Sequence, residues 1–201
     1  MNISVIIPIR DGNHTLGRCL SSLKESTLSP SEVIVVDDYS KEDCSDIVKS
    51  FGFKSIRINE PREAEYARNK GAELSTGDIL VFTDCDMMIH PDTLERIHNH
   101  FCQNHYAAIS GVSSPEPHDR KLTTRYKHLW LYYSYINSPK DFDFWISGIG
   151  AVKRDVFFGV KGFRTTYQTK YGGGDLDFGR RLKLAGQKIR LDTKIQGTHL
   201  N

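Results

Sequence analysis

Two carboxylates at positions i and i+2, Asp84 and Asp86, flank Cys85 directly after the apolar run Ile79-Leu80-Val81-Phe82. Carboxylate oxygens are hard donors, and a pair on one turn suits a single Mg²⁺ or Mn²⁺, held directly or through water. In a solvated loop the same tripeptide carries no meaning; at the carboxyl end of a buried strand it does. A second acidic pair, Asp37-Asp38, ends Val33-Ile34-Val35-Val36. It either accepts hydrogen bonds from a nucleobase or ribose, or closes a turn with Tyr39-Ser40. Gly172-Gly173-Gly174 leads into Asp175, which reads as a helix cap, as a general base over a substrate, or as both. Arg68 stands beside the small-residue face of a helix, within reach of a diphosphate or a base; otherwise it pairs with Glu63 or Glu65. His199 becomes a metal ligand if the fold sets it beside Asp86. His98, His100 and His105 fall in or just after a polar helix, at spacings that suit a solvated face better than zinc.

The elements that must position these residues alternate in the first half. Strand-like runs at 3–9, 33–36, 55–58 and 79–82 are separated by helical patterns. Leu16, Cys19, Leu20 and Leu23 mark one helix, Ile47, Val48 and Phe51 a second. Ala64, Ala67, Gly71 and Leu74 form the packing face of a third, and Leu94, Ile97 and Phe101 mark a fourth. Uninterrupted apolar strands between amphipathic helices predict a mostly parallel α/β sheet covered on both faces. Ligands of such sheets collect outside the carboxyl ends of the strands, so both acidic pairs should face one crevice. The second half reads as a smaller α+β region. Strands are expected at 107–112, 145–152 and 188–191, with a helix from Asp175 to Ala185 stopped by Gly186. The helix at 121–136 carries Leu122, Tyr126, Leu129, Trp130 and Tyr133 beside Lys121, Arg125 and Lys127. It reads as an aromatic core face with a solvated basic edge; contact with a membrane surface or an acceptor is the other reading.

The 201 residues contain 27 Lys plus Arg and 25 Asp plus Glu, a net charge of +2 that argues against a nucleic-acid binder. A hydrophobic share of 38% suffices for a core and excludes a disordered chain. Cys19, Cys44, Cys85 and Cys102 form no Cys-x-x-Cys pair, so free thiols are expected. No apolar run approaches the ~20 residues that span a bilayer, and no signal peptide is evident. The turn after the first strand, Arg10-Asp11-Gly12-Asn13, lacks the Gly-x-Gly-x-x-Gly of a dinucleotide-binding oxidoreductase. It also lacks the glycine-rich basic loop of a sugar nucleotidyltransferase.

In order along the chain, Ser4-Val5-Ile6-Ile7-Pro8, Glu32 to Ser40, Ala67-Arg68-Asn69-Lys70-Gly71-Ala72, Gly77 to Asp86, Gly148, Gly172 to Leu182 and Thr198-His199 resemble the family 2 glycosyltransferases of the GT-A fold. The resemblance implies a Rossmann-type nucleotide-binding sheet in a single domain. Residues 1–106 would form the nucleotide-sugar half and 107–201 the acceptor and catalytic-base half. It implies inverting transfer from a nucleoside-diphosphate sugar, UDP-sugar by default, to a carbohydrate, lipid-linked or small-molecule acceptor. Pro8, Ile9, Arg10, Asp37, Asp38, Arg68, Asp84 and Cys85 would bind the nucleotide. Asp86 and His199, with Asp84 as a further candidate, would hold Mn²⁺ or Mg²⁺. Asp175 would be the base, and Gly148, Gly174 and Asp177 would meet the acceptor. One departure is plain: many members carry Glu-Asp where this chain has Gly174-Asp175. The expected location is cytoplasmic, peripheral at the inner face of the membrane. The family usually continues past this point, so the chain is either a minimal enzyme or one truncated at its C-terminus. The non-enzyme alternative is an inactive binding module, which would be marked by loss of Asp86 or Asp175; both are present.

Overall fold

The computed structural model describes residues 1–103, 106–142, 144–165 and 173–200. The first half runs β1 (Ile3–Ile9), α1 (Asn13–Lys24), β2 (Glu32–Asp37), α2 (Ser45–Ser50), β3 (Lys54–Arg57), α3 (Ala64–Leu74), β4 (Ile79–Thr83), β5 (Met87–Ile89) and α4 (Thr93–Gln103). It continues with β6 (Ala108–Ser113), α5 (Leu122–Ile136), β7 (Ile149–Lys153), α6 (Arg154–Gly159), α7 (Gly174–Leu184) and β8 (Ile189–His199).

All seven residues of β1 are buried, as a strand covered on both faces requires. The eight strands form one sheet in the order β3-β2-β1-β4-β7-β6-β8-β5. The first four pair in parallel, as the unbroken apolar runs predict. β7 runs antiparallel between β4 and β6, β8 is parallel to β6, and β5 closes the edge antiparallel to β8. The chain moves outward from β1 through β2 to β3 and then returns to β1's other side as β4. That reversal opens a crevice at the carboxyl ends of β1, β2 and β4.

Several expectations change on inspection. α3 was expected to pack through Ala64, Ala67, Gly71 and Leu74, but it buries Ala67, Arg68, Gly71 and Ala72 and leaves Leu74 47% exposed. Gly71 sets this roll: a Cβ there would lie 2.5 Å from Ile6 Cγ2. The helix settles around that close approach and carries Arg68 inward. β8 spans eleven residues rather than four, because beyond a shift in its pairing with β6 it goes on to pair with β5. His100 is not solvated: its Nε2 lies 2.6 Å from Asp192 Oδ2, tying α4 to β8. The side chain holds the Asp192 carboxyl below its ordinary range. His105 and residues 166–172, including Tyr171 and Gly172, lie outside the described residues. The strand expected from Trp145 begins only at Ile149. Trp145 is instead fully buried against Phe82, Phe163 and Phe178, at ring separations of 5.7, 5.6 and 5.1 Å. This aromatic knot anchors α7 through Phe178.

α5 departs furthest from expectation. Its aromatic face is not core: Leu122, Tyr126, Leu129, Trp130, Tyr133 and Ile136 are all exposed, while His128 is buried. Tyr132 and Tyr135 supply the rest of its packing. Among the described residues no helix is long and apolar enough to cross a membrane.

Candidate active site

A cavity of about 350 Å³ lies in the crevice, lined by Pro8, Ile9 and Arg10 from the end of β1, Asp38 beyond β2, Glu63 and Ala64 at the start of α3, Asp84, Cys85 and Asp86 beyond β4, and His199 at the end of β8. The sequence therefore brings residues about 190 positions apart to one hollow, and the sheet's ladders do the positioning. Ile9 pairs with Asp37, which places Arg10 beside Asp38; Arg10 Nη1 lies 3.7 Å from Asp38 Oδ2. Met87 pairs with His199 and the N–H of Leu200 donates to Asp86 O at 2.8 Å. His199 Nε2 consequently lies 3.5 Å from Asp86 Oδ2. The three-residue strand β5 is what makes that meeting, and nothing in the sequence pattern announced it.

The loops that rim the cavity are tightly laced. Asp38 accepts the N–H groups of Arg62 and Glu63 at 2.7 and 3.0 Å. This ties the end of β2 to the N-terminus of α3. Asp11, Tyr39 and Glu63, each beside a wall residue or part of the wall, hold left-handed φ angles of 55°, 63° and 77°. For residues with a Cβ this is sparsely populated backbone that a framework must over-determine, and it clusters at functional sites. The sequence pointed to Glu63 only as a partner for Arg68 and to Ala64 only as part of a packing face, not as walls of a site. They line the cavity because α3 begins there, with its positive dipole end toward the hollow.

Arg68, 7% exposed, directs Nη2 onto Asp84 Oδ1 at 2.7 Å. The other carboxylate oxygen of Asp84 faces Gly148, where a Cβ would lie 3.6 Å from Oδ2. Gly148 is itself held by a hydrogen bond from Thr83 Oγ1 to its carbonyl, 3.0 Å. The preceding residue, Ser147, donates both its N–H (2.8 Å) and its hydroxyl (3.0 Å) to Asp175 Oδ2. Asp175 is thus not a cap of α7, whose N-cap position is Gly173 and shows no side-chain capping bond. Burial pushes the Asp175 carboxyl above its ordinary value and the Asp84 charge adds to this, while the Ser147 bonds and the Arg68 charge oppose it. Asp175 does not line the cavity; it is held by Ser147, next to Gly148 in the chain, within the fields of Asp84 and Arg68. Gly174 packs against Glu65 of α3, leaving no room for a side chain.

Of the expected residues, Arg68, Gly148, Gly174 and Asp175 do not themselves line the hollow, and Asp37 and Asp177 are committed elsewhere. Asp37 is 1% exposed and committed to Ser40 N–H (2.8 Å) and Arg57 Nη1 (3.0 Å). It braces the β2 turn, because inward-facing side chains of β2 point into the sheet's cover. Asp177 pairs with Arg181 at 2.7 Å and Arg164 at 3.3 Å. It steadies α7, since the helix turns it away from Asp175. Cys85 lines the cavity, but burial, Asp86 and Asp84 push its thiol up to about 12, which favours the neutral thiol over a thiolate. Ser147 was missed by sequence reading, as a lone serine before Gly148 carries no signal.

Asp38, Glu63, Asp84 and Asp86 give the walls four carboxylates against Arg10 and His199. That excess of negative charge and an oxygen-rich donor set with one imidazole fit a hard divalent cation, with Asp86 and His199 as the adjacent pair. The tightest group of metal-competent atoms among the described residues lies elsewhere, at Asp37, Asp43 and Cys44. Asp37 there is already neutralised by Arg57, and the Cys44 thiol is pushed up to about 11, chiefly by burial. The donor chemistry of the cavity is the better match.

The sequence matches the model of Glycosyl transferase family 2 over residues 4–161. The glycosyltransferase AglE of Haloferax volcanii is 36% identical over 101 residues, covering 47% of this chain and 33% of its own. The poly(ribitol-phosphate) beta-N-acetylglucosaminyltransferase TarP of Staphylococcus aureus is 27% identical over 128 residues, covering 60% of this chain and 39% of its own. The chain thus spans little more than a third of the length of these curated relatives. Among solved structures, the mannosyltransferase PcManGT of Pyrobaculum calidifontis, in complex with GDP-Man and Mn²⁺, superposes with a TM-score of 0.77 at 20% identity. The alignment covers 98% of this chain and 56% of that one. With its sheet order, its crevice and this match over most of its length, the chain belongs to glycosyl transferase family 2 and has the GT-A fold.

Proposed function

We propose that the protein is an inverting glycosyltransferase that moves a sugar from a nucleoside-diphosphate sugar to an acceptor hydroxyl. The observation that carries this reading is the convergence of Arg10, Asp38, Asp84, Asp86 and His199 on one cavity, with Asp175, held by Ser147, in the fields of Asp84 and Arg68. Pro8, Ile9, Arg10 and Asp38 would hold the nucleoside at the β1–β2 side. The amino end of α3 and the Arg68 guanidinium favour the diphosphate. Asp86 and His199, with Asp84, would hold Mn²⁺ or Mg²⁺. A divalent cation there supplies charge stabilisation for a departing nucleoside diphosphate. The structural neighbour's GDP-Man and Mn²⁺ support both the donor class and the ion class.

An acceptor hydroxyl is a weak nucleophile at neutral pH, so its proton must leave as the oxygen attacks. Asp175 is suited to take it. Burial keeps its carboxyl more basic than an ordinary aspartate, and Ser147 fixes Oδ2, so the other oxygen is the one left to accept a proton. Base and leaving group on opposite sides of the anomeric carbon give a single displacement with inversion. Gly148, with no side chain beside Asp84, would leave space for the acceptor, whereas the place of a side chain at Gly174 is taken by Glu65.

A panel of UDP- and GDP-sugars with Mn²⁺ tests the reading. The expected result is a raised melting temperature with the matching nucleoside diphosphate and slow, metal-dependent hydrolysis of the matching donor. Binding without hydrolysis or transfer to any acceptor would favour the inactive module, and no nucleotide binding at all would reject the assignment.

A further inference from the structure

The outer face of α5 is unusual for a surface helix. Leu122, Tyr126, Leu129, Trp130, Tyr133 and Ile136 are 81%, 72%, 57%, 57%, 64% and 47% exposed. At 3.6 residues per turn they share one arc of about 120°, so they form a continuous apolar stripe rather than scattered exposures. The inner side holds the helix to the body through His128, Tyr132 and Tyr135. Arg125 borders the stripe on one side and Lys127 on the other, and Arg120, Lys121 and Lys140 lie at its ends. All five are exposed, and residues 120–140 contain no Asp or Glu.

We propose that this face is a docking surface for an anionic lipid bilayer. Charge complementarity chooses the occupant. A second copy of the chain in a two-fold pairing would set these cations against their own counterparts, and the neighbouring carboxylate of Asp119 relieves only Lys121, at 3.5 Å. A bilayer carrying anionic headgroups attracts them. Trp and Tyr beside Leu and Ile, rimmed by Lys and Arg, is also the composition that settles at the boundary between headgroups and acyl chains. The helix lies in the plane of the surface and does not span it. On its opposite side the His128 ring lies 5.3 Å from the His199 ring. A docked α5 therefore holds the cavity mouth about one helix diameter, ~10–12 Å, from the lipid. The inference stands without the transferase reading, since it concerns binding alone.

The protein carries its own probe. Of its two tryptophans, Trp145 is fully buried and Trp130 is exposed, so a change in emission on binding reports Trp130. The 201-residue protein is mixed with phosphatidylcholine vesicles with and without phosphatidylglycerol, then followed by flotation and tryptophan emission. Flotation and a blue shift are expected with the anionic vesicles and little of either with the neutral ones. Trp130→Ser should abolish the shift, and the exposed pair Lys121→Glu/Arg125→Glu should weaken vesicle binding by at least about tenfold. The charge variant removes no packed side chain, only the surface ion pair of Lys121 with Asp119, so it keeps the test valid if Trp130→Ser lowers the melting temperature. Failure to float with anionic vesicles overturns the proposal, as does binding that the charge reversal leaves intact. Self-association in the absence of lipid, lost in Trp130→Ser, would overturn it in favour of a second copy.

Discussion

Replacing Ser147 by alanine deletes one of the two hydrogen bonds that Asp175 Oδ2 accepts. The hydroxyl at 3.0 Å is lost and the main-chain N–H at 2.8 Å stays. A hydrogen bond to a charged group contributes about 1.5–3 kcal/mol, and the lower end applies because the companion N–H remains and Asp175 is only partly buried. About 1.5 kcal/mol is close to a factor of ten in the ratio of ionised to protonated carboxyl. The sign follows from which form is favoured. The Ser147 bonds hold the carboxyl down against its burial, so deleting one moves the acid limb of the rate profile to higher pH. In buffers below that limb, kcat should fall about tenfold, and the deficit should close as pH rises and the base ionises. Initial rates across pH at saturating donor and acceptor measure this. A limb that stays in place or moves to lower pH would refute the role given to Ser147. A loss equal at every pH would show that Ser147 sets geometry and leaves the proton affinity of Asp175 alone.

Excess chelator should remove activity, and His199→Ala should raise the Mn²⁺ concentration needed for half-maximal rate by at least about tenfold; full rate in EDTA would contradict the ligand assignment. A stability prediction concerns Glu32. Burial alone would raise its carboxyl, but hydrogen bonds from Thr76 N–H, the Ser4 and Thr76 hydroxyls and Lys54 overcome this and hold it down to about 2. A depressed carboxyl stabilises the fold above its unfolded value and loses that contribution as pH falls toward 2. Thermal melts of Glu32→Gln should therefore depend less on pH over that interval than those of the natural protein. An unchanged pH dependence would remove Glu32 from the account of acid lability.

The parallel half of the sheet was legible because β2 and β4 are built on unbroken apolar runs and β1 nearly so, and acidic residues stand at the carboxyl ends of β2 and β4. The meeting of Asp86 with His199 was only guessable. It depends on a three-residue strand too short to carry a period and on a β8 whose mixed composition hides its length. Arg68 was recognised, but its inward position follows from Gly71 touching Ile6, a tertiary contact that helical periodicity cannot supply. Asp37 and Asp177 carried the right residue type near the right motif, yet Arg57 and Arg181 claim them; ion pairing between distant or helically spaced groups competes with function for the same side chains. The face of α5 was misread because the helix carries large aromatic and aliphatic residues on both its inner and outer sides, and the sequence does not say which side is covered.

The central claim is that Asp175 acts on a donor bound by other residues. Single-turnover transfer by Asp175→Asn, with donor affinity and melting temperature measured on the same preparation, tests it directly. The amide keeps an oxygen for the Ser147 bonds, and removing a partly buried carboxylate whose folded pKa is raised should not lower stability at neutral pH. The account predicts a rate lower by about 10²–10⁴ with donor affinity unchanged. Transfer at the natural rate by the folded, donor-bound variant would contradict it.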